Sequence, residues 1–239
     1  MDFCRTVIHV VQPGDTFYRL AQHYQTTVPD IIMRNPGVNP YNLQVGTRLR
    51  ICSGRIEDPL QKDELDLNND MREAWAQHGF WGTLYLLSMY YALPNMEAIL
   101  ERLKESPDEI AEVFAKFYSQ AMVSQLKTLL QEHVQLTGEL MKALRDGESE
   151  RAEQVEQEWH QNADRIARML SSANADYNYE QLAQMLNMHL DLMKRQMTTD
   201  LNNQYEEFVT ATDENNAHLI ELADELTEGL IKQFYQSQR

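Results

Sequence analysis

The sequence predicts a small α+β module followed by an acidic, all-α helical bundle. Residues 1–53 show a strand–helix–helix–strand pattern, whereas helical periodicity runs from about residue 67 to the end with no strand candidate. The charge divides in the same way. Residues 1–54 hold five Arg and three Asp, a formal charge of +2, so residues 55–239 carry −18 and the whole chain has a net charge of −16. We therefore predict a first domain at 1–53, a linker at 54–66 and a bundle at 67–239.

The first elements of the module follow from a β-branched run and an apolar stripe. Val7 to Val11 predicts a strand, and the Pro-Gly that follows predicts a turn. Asp15 is the predicted N-cap of a helix that begins at Thr16. The apolar residues of that helix stand at i, i+3, i+4 and i+7, namely Phe17, Leu20, Ala21 and Tyr24.

A second helix and a closing strand complete the module. Thr27 and Asp30 have the spacing of a capping pair at the start of the second helix, and "NPGVNP" from Asn35 ends it. "TRLRIC" from Thr47 to Cys52 alternates Arg with Leu and Ile, the pattern of a half-buried strand.

The stretch "VVQPGDTFYRLAQHYQTTVPDIIMRNPGVNPYNLQVGTRLRI" resembles a LysM domain over its whole length. The motifs are the Gly-Asp-Thr loop, the Leu-Ala pair, "TTV", "NPGVNP" and "VGTRLRI". The resemblance implies a βααβ fold that binds N-acetylglucosamine glycans, chiefly peptidoglycan and chitin. By position, the carbohydrate-binding residues would be Gly14, Asp15, Thr16 and Phe17 on one loop and Asn35, Pro36, Gly37, Val38 and Asn39 on the other. Alternatively, Asp15 only caps its helix and Phe17 only packs in the core, without contacting a glycan.

The two cysteines flank the module. Because the first and last strands of this fold pair antiparallel, Cys4 and Cys52 are expected to face each other. A disulfide there would close a long loop, worth on the order of 4 kcal/mol in the chain-entropy model. Two free thiols are the alternative, since no secretory signal is recognisable at the N-terminus.

The bundle is predicted to contain helices at roughly 67–92, 95–105, 107–118, 120–145, 148–173, 178–200 and 203–236. An internal repeat of 55 to 56 residues runs through them. A histidine recurs at this distance, at positions 78, 133 and 189. An apolar pair recurs as well, as Ile-Ala at 110 and at 166 and as Leu-Ala at 222. Three helical-hairpin repeats would explain this spacing.

The three repeated histidines, His78, His133 and His189, each lie in the middle of an apolar helical stripe. If they converge, they could bind a transition metal, with Asp164 or Asp224 as a further ligand. The alternative is that each is a core histidine with backbone or hydroxyl partners, and the residues leave both interpretations open.

Charge and hydropathy restrict the partners. An acidic chain is not attracted to nucleic acid or to anionic membrane surfaces. The most apolar window, Ala74 to Met96, contains Gln and His, lacks basic flanks and is predicted to be a buried core helix rather than a membrane span. We therefore expect no nucleic acid, no membrane span and synthesis in the cytoplasm.

The bundle also resembles an uncharacterised all-helical family of spore-forming Gram-positive bacteria. The matching segments are "ALPNMEAILERLKESPDEIAEVFAKFY", "EHVQLTGELMKAL", "EWHQNADRIARMLSSAN" and "ADELTEGLIKQF". With the first resemblance, this implies a non-catalytic peptidoglycan-binding protein of the spore surface or cell wall, whose bundle binds a protein partner or a further copy of itself. A LysM-tethered metal-binding bundle, for storage or redox chemistry, is one alternative. A wall hydrolase is another, although no catalytic residues stand out.

Overall fold

The computed structural model describes residues 5–39, 43–53 and 59–236. The chain divides into two compact units, residues 1–63 and 64–239. The fold class is as predicted, a small α+β unit and a mostly helical unit.

The N-terminal unit has the predicted element order. Strand β1 (Arg5–Val10) is followed by helices α1 (Phe17–His23) and α2 (Val28–Arg34) and by strand β2 (Arg48–Ser53), which pairs antiparallel with β1. Leu49 and Ile51 of β2 are fully buried while Arg48 and Arg50 face outward, which confirms the alternation read from the sequence.

The strand register pairs Cys52 with Thr6. Cys52 is buried and disulfide-bonded, which supports the predicted disulfide over two free thiols; the other cysteine of the chain, Cys4, lies outside the described residues.

The helix caps agree with the prediction at one helix and differ at the other. Thr27 caps α2 by accepting a hydrogen bond from the Asp30 backbone N–H, as expected. At α1 the N-cap is Thr16, whose Oγ1 accepts from the Arg19 N–H, rather than Asp15. The reason is that the Asp15 carboxylate turns back to the Gln12 N–H, which leaves the next residue to cap the helix.

The C-terminal unit consists of consecutive helices. Their bounds are α3 Pro59–Tyr90, α4 Met96–Leu103, α5 Ser106–Ala115, α6 Gln120–Asp146, α7 Ser149–Ala173, α8 Tyr179–Leu201 and α9 Tyr205–Leu230, followed by a π-helical segment Ile231–Gln236. Helices adjacent in sequence from α5 onward pack side by side, and α6 also contacts α8.

The largest departures from the predicted helix bounds are at the start of α3 and at the end of α9. Helix α3 begins at Pro59 instead of residue 67, because proline is favourable in a first helical turn. Helix α9 changes to π geometry at Ile231. Just before this point, two side chains donate to helix carbonyls, Asn174 to Gly229 O and Tyr177 to Leu226 O. Donors inserted at the carbonyl ladder are a known cause of such irregularities.

The apolar window from Ala74 lies in α3 up to Tyr90 and contributes buried residues such as Trp75 and Leu86 to the core, as predicted. Within the described ranges, the helices fall short of the length and apolarity that a bilayer crossing requires.

The structure shows the internal repeat as equivalent contacts. Asn162 Nδ2 donates to Leu129 O at 3.0 Å, and His218 Nε2 donates to Met185 O at 2.7 Å, so that both members of the pair shift by 56 residues. Buried residues also recur at the repeat distance, as in Ile110, Ile166 and Leu222, and in Phe114, Leu170 and Leu226. The repeated positions lie on α3 and α5, on α6 and α7, and on α8 and α9. The first unit has the additional helix α4, so it is not the simple helical hairpin that was predicted.

Candidate functional sites

The predicted carbohydrate-binding residues lie on two loops of the N-terminal unit, one before α1 and one after α2. Both loops turn at a glycine with positive φ, Gly14 at 87° and Gly37 at 91°, a conformation that favours glycine. Five of the nine residues are exposed and two are partly buried, whereas Phe17 and Asn35 are buried. The exposed ones are Gly14, Thr16, Pro36, Gly37 and Asn39, and the partly buried ones are Asp15 and Val38.

Asp15 anchors the first loop. Its Oδ2 accepts from the Gln12 N–H and from His9 Nε2, each at 2.7 Å, and the other ring nitrogen of His9 lies 2.8 Å from the Tyr24 hydroxyl. The Gln12 N–H and, after it, His9 lower the pKa of Asp15 below its usual value. The carboxylate therefore holds β1, the loop and the end of α1 together.

Phe17 and Asn35 serve the fold. The Phe17 ring is 3% exposed and packs with Leu20 and Ile31 in the small core, so it is not a groove residue in this structure. The buried Asn35 amide donates to Ile31 O at 2.7 Å and Arg50 O at 2.8 Å and accepts from the Arg50 N–H at 2.7 Å. Asn35 thus joins the end of α2 to β2 as an extra backbone unit would.

Replacing Asn35 with Ala should destabilise the N-terminal unit by about 3 kcal/mol, because three hydrogen bonds are lost and buried backbone groups of Ile31 and Arg50 lose their partner. Urea unfolding of the isotopically labelled chain, followed by NMR of residues in this unit, measures the change. Pro36→Ala, an exposed neighbour, is the control and should change stability by less than about 0.5 kcal/mol. Equal stability of the two variants would contradict the role given to Asn35.

The three repeated histidines converge in the helical unit. His78 on α3, His133 on α6 and His189 on α8 are all buried, and every pair of ring centroids is separated by 5.7 Å. One nitrogen from each ring lies within 4.8 Å of the others. We call these residues the histidine trio.

Two hydrogen bonds orient rings of the trio. The Ser106 hydroxyl donates to Leu103 O at 2.8 Å, so its oxygen accepts from His78 Nδ1–H at 3.0 Å. The Asn215 side-chain carbonyl accepts from His189 Nδ1–H at 2.8 Å. Both rings therefore carry their proton on Nδ1 and leave Nε2 with a lone pair.

Burial keeps the trio neutral. Removal from water, with the neighbouring His189 as a lesser cause, lowers the pKa of His78 to about 3. Burial likewise lowers the pKa of His189 to about 4 and that of His133 well below its usual value. At neutral pH all three are thus uncharged imidazoles.

A small chamber of about 10 Å³, measured as the space open to the centre of a water molecule, lies against the trio. Its walls are mostly apolar and include Leu103, Val134 and Met193. This is the size that one water molecule or one ion occupies. A much larger cavity of about 610 Å³ lies between α3, α4 and α6, and Val134 lines both spaces.

The two predicted carboxylate ligands lie elsewhere, bound to other side chains. Asp224 forms a two-pronged ion pair with Arg72, with both distances 2.5 Å, and also accepts from Asn68. Asp164 pairs with Arg168 and accepts from the Tyr179 hydroxyl. The group of possible metal ligands among the described residues is the trio alone.

Sequence reasoning did not identify the residues around the trio. Trp159 packs its ring 5.6 Å from that of His133, and Asn215 bonds His189; each stands 26 residues after its histidine. The repeat therefore contained a signal for both positions. Ser106 stands 28 residues after His78, so it does not occupy the same repeat position as Trp159 and Asn215.

Comparison with protein families gives one match, the LysM domain at residues 9–51. Curated proteins and solved structures gave no match to the chain. The match spans β1 to β2 and includes both loops described above. Residues 9–51 are therefore a LysM domain, which indicates binding of a peptidoglycan- or chitin-type glycan.

Proposed function

We propose that this chain is a non-catalytic protein that binds peptidoglycan through the exposed loop residues of its LysM domain, at the spore surface or the cell wall. The observation that carries the proposal is the LysM match over 9–51, with both loops at the surface. Of the nine predicted groove residues, we retain Gly14, Asp15, Thr16, Pro36, Gly37, Val38 and Asn39.

The chemistry of these loops suits an acetamido sugar. Thr16 offers a hydroxyl and Asn39 an amide, both exposed, and Val38 is half-buried beside the core, where it offers apolar surface to an acetyl methyl group. Polar groups that fix orientation beside a small apolar contact are typical of carbohydrate and other small-ligand sites.

The test is a double variant designed to keep the fold. In Thr16→Asp/Asn39→Asp, Asp still accepts at the N-cap of α1, while the hydroxyl and amide donors of the groove are removed. Retention of the full chain on sedimented peptidoglycan should fall at least tenfold. Single shallow sites bind weakly, so the comparison is made at high polymer concentration.

A control matches the charge of that variant. Gln22→Glu/Met33→Asp adds the same two negative charges at exposed helical positions outside both loops, and its retention should equal that of the unchanged chain. Equal retention of both variants would refute the groove and assign wall binding to another surface.

We further propose that the bundle binds a protein partner or a further copy of the chain. The resemblance of its segments to a family of spore-forming bacteria suggests that the protein is located on the spore. A fluorescent fusion in a sporulating host should label the spore surface. Uniform labelling of vegetative cells would oppose this location. A zymogram on wall material should show no clearing at the position of this chain, and a clearing band would replace the proposal with a wall hydrolase.

A further inference from the structure

The imidazole nitrogens of the histidine trio are buried at the centre of the helical unit. Buried polar atoms normally find a hydrogen-bond partner, because an unpaired one costs on the order of 1–3 kcal/mol. His189 Nε2 is buried and has no such partner within the described residues. Since Nδ1 holds the ring proton, the unpartnered atom is an acceptor with a lone pair.

The three ring nitrogens also lie around one common point. Three atoms that are all within 4.8 Å of one another lie no more than ~2.8 Å from a common centre, so a shift of ~0.7 Å per ring gives the ~2.1 Å bonds of a metal–imidazole site. Gly79 and Gly82 also line the chamber, beside His78.

The surroundings have the arrangement found around metal-binding histidines. Such residues usually donate their second ring N–H to a fixed acceptor, which sets the tautomer and the ring orientation. Ser106 and Asn215 do this for His78 and His189, and they come from helices other than those of the histidines. Five of the bundle's helices, α3, α5, α6, α8 and α9, thus contribute to one point.

We propose that the histidine trio binds a single divalent transition-metal ion of the zinc class, through one nitrogen of each of His78, His133 and His189. Three imidazoles without a carboxylate or thiolate favour Zn²⁺, Co²⁺, Ni²⁺ or Cu²⁺ over Mg²⁺ and Ca²⁺, which require oxygen ligands. The 610 Å³ cavity and the chamber share Val134 in their linings.

The first experiment uses the full chain without an affinity tag, stripped with a chelator and titrated with Zn²⁺ by calorimetry. We expect one Zn²⁺ per chain, binding at least a hundredfold more tightly than any residual site in a His133→Gln/His189→Gln variant. A thousandfold excess of Mg²⁺ should leave the Zn²⁺ affinity unchanged. Absence of stoichiometric Zn²⁺ and Co²⁺ binding by the unchanged chain would overturn the proposal.

The control is His160→Gln, which removes a histidine of α7 outside the trio and should keep full stoichiometry. A milder variant tests the site without removing a ligand: Asn215→Ala should lower Zn²⁺ affinity about 10- to 100-fold. Circular dichroism accompanies each variant. If the Asn215→Ala variant is folded and binds Zn²⁺ as tightly as the unchanged chain, the orienting role of Asn215 is refuted and the ion is bound elsewhere.

A spectroscopic reading does not depend on any variant. Co²⁺ bound to the stripped chain should give visible absorption bands that differ from those of aqueous Co²⁺ and that one equivalent of Zn²⁺ abolishes. Bands that persist after one equivalent of Zn²⁺ would show that Co²⁺ binds at another location, against the proposal.

Discussion

Acidification from pH 7 to pH 4.5 should unfold the metal-stripped bundle, with stability falling steeply from about pH 6.5. The trio is neutral when folded, because burial lowers the pKa of His78 to about 3 and of His189 to about 4, with His133 shifted the same way. In the unfolded chain the same residues titrate near ~6.5, so between these values the unfolded state binds more protons.

Stability is fully present above the unfolded pKa and is lost as the pH falls toward the folded values. Each of the three imidazoles can shift the folding equilibrium by about tenfold per pH unit, together on the order of 4 kcal/mol per unit. This compares with a total stability of ~5–15 kcal/mol for a typical domain. Carboxylates with lowered pKa, such as Asp164 and Asp224, act only below about their usual value of 3.8.

Urea unfolding monitored by helical circular dichroism at half-unit pH steps, with a chelator present, measures the slope. The variant His133→Gln/His189→Gln should keep only about a third of it, because glutamine does not titrate, and His160→Gln serves as the control. Slopes that are equal in the double variant and the unchanged chain would show that the trio does not cause the acid sensitivity.

Replacing Gly229 with Ala should destabilise the helical unit by about 3 kcal/mol, the upper part of the range for overpacking a core. A Cβ at this position would lie 1.9 Å from Tyr177 Cε1 and 2.4 Å from Cδ1. The tyrosine cannot swing away cheaply, since it is 4% exposed and its hydroxyl donates to Leu226 O.

Gly82 supplies the matched control for this variant. It is also helical, but an added Cβ would lie 3.8 Å from Met193 Cε, an ordinary contact. Gly82→Ala should therefore raise stability by up to about 1 kcal/mol through helix propensity. Combining Gly229→Ala with Tyr177→Ala should cost no more than Tyr177→Ala alone. An additive cost in the double variant, measured by urea unfolding, would contradict the clash.

Much of the bundle could be predicted because a repeat carries more information than a single helix. A helical stripe shows only that His133 faces a core. The recurrence of histidine at 78 and 189 on equivalent stripes indicates that the three face the same core. The structure brings the three rings together.

The carboxylates could not be placed by the same reasoning. Asp224 and its partner Arg72 are 152 residues apart, and helical periodicity does not state which side chains meet across two helices. Asp164 was a different case: Arg168 stands at i+4, a spacing that by itself predicts an ion pair on one helix surface.

In the N-terminal unit, periodicity predicted the core but could not decide between neighbouring polar residues. Asp15 and Thr16 are both good N-caps, and the choice depended on a contact between the carboxylate and the Gln12 N–H. Asn35 belonged to a family motif, and only the structure shows that its amide is used by Ile31 and Arg50.

The distribution of the trio among the repeats has a consequence for biosynthesis. Each repeat supplies one imidazole, so a chain interrupted before α8 has two of them and no closed centre. During synthesis the three ligands are present only after α8 has left the ribosome and packed on the helices before it. Filling of this centre would thus distinguish chains that contain α8 from chains interrupted before it.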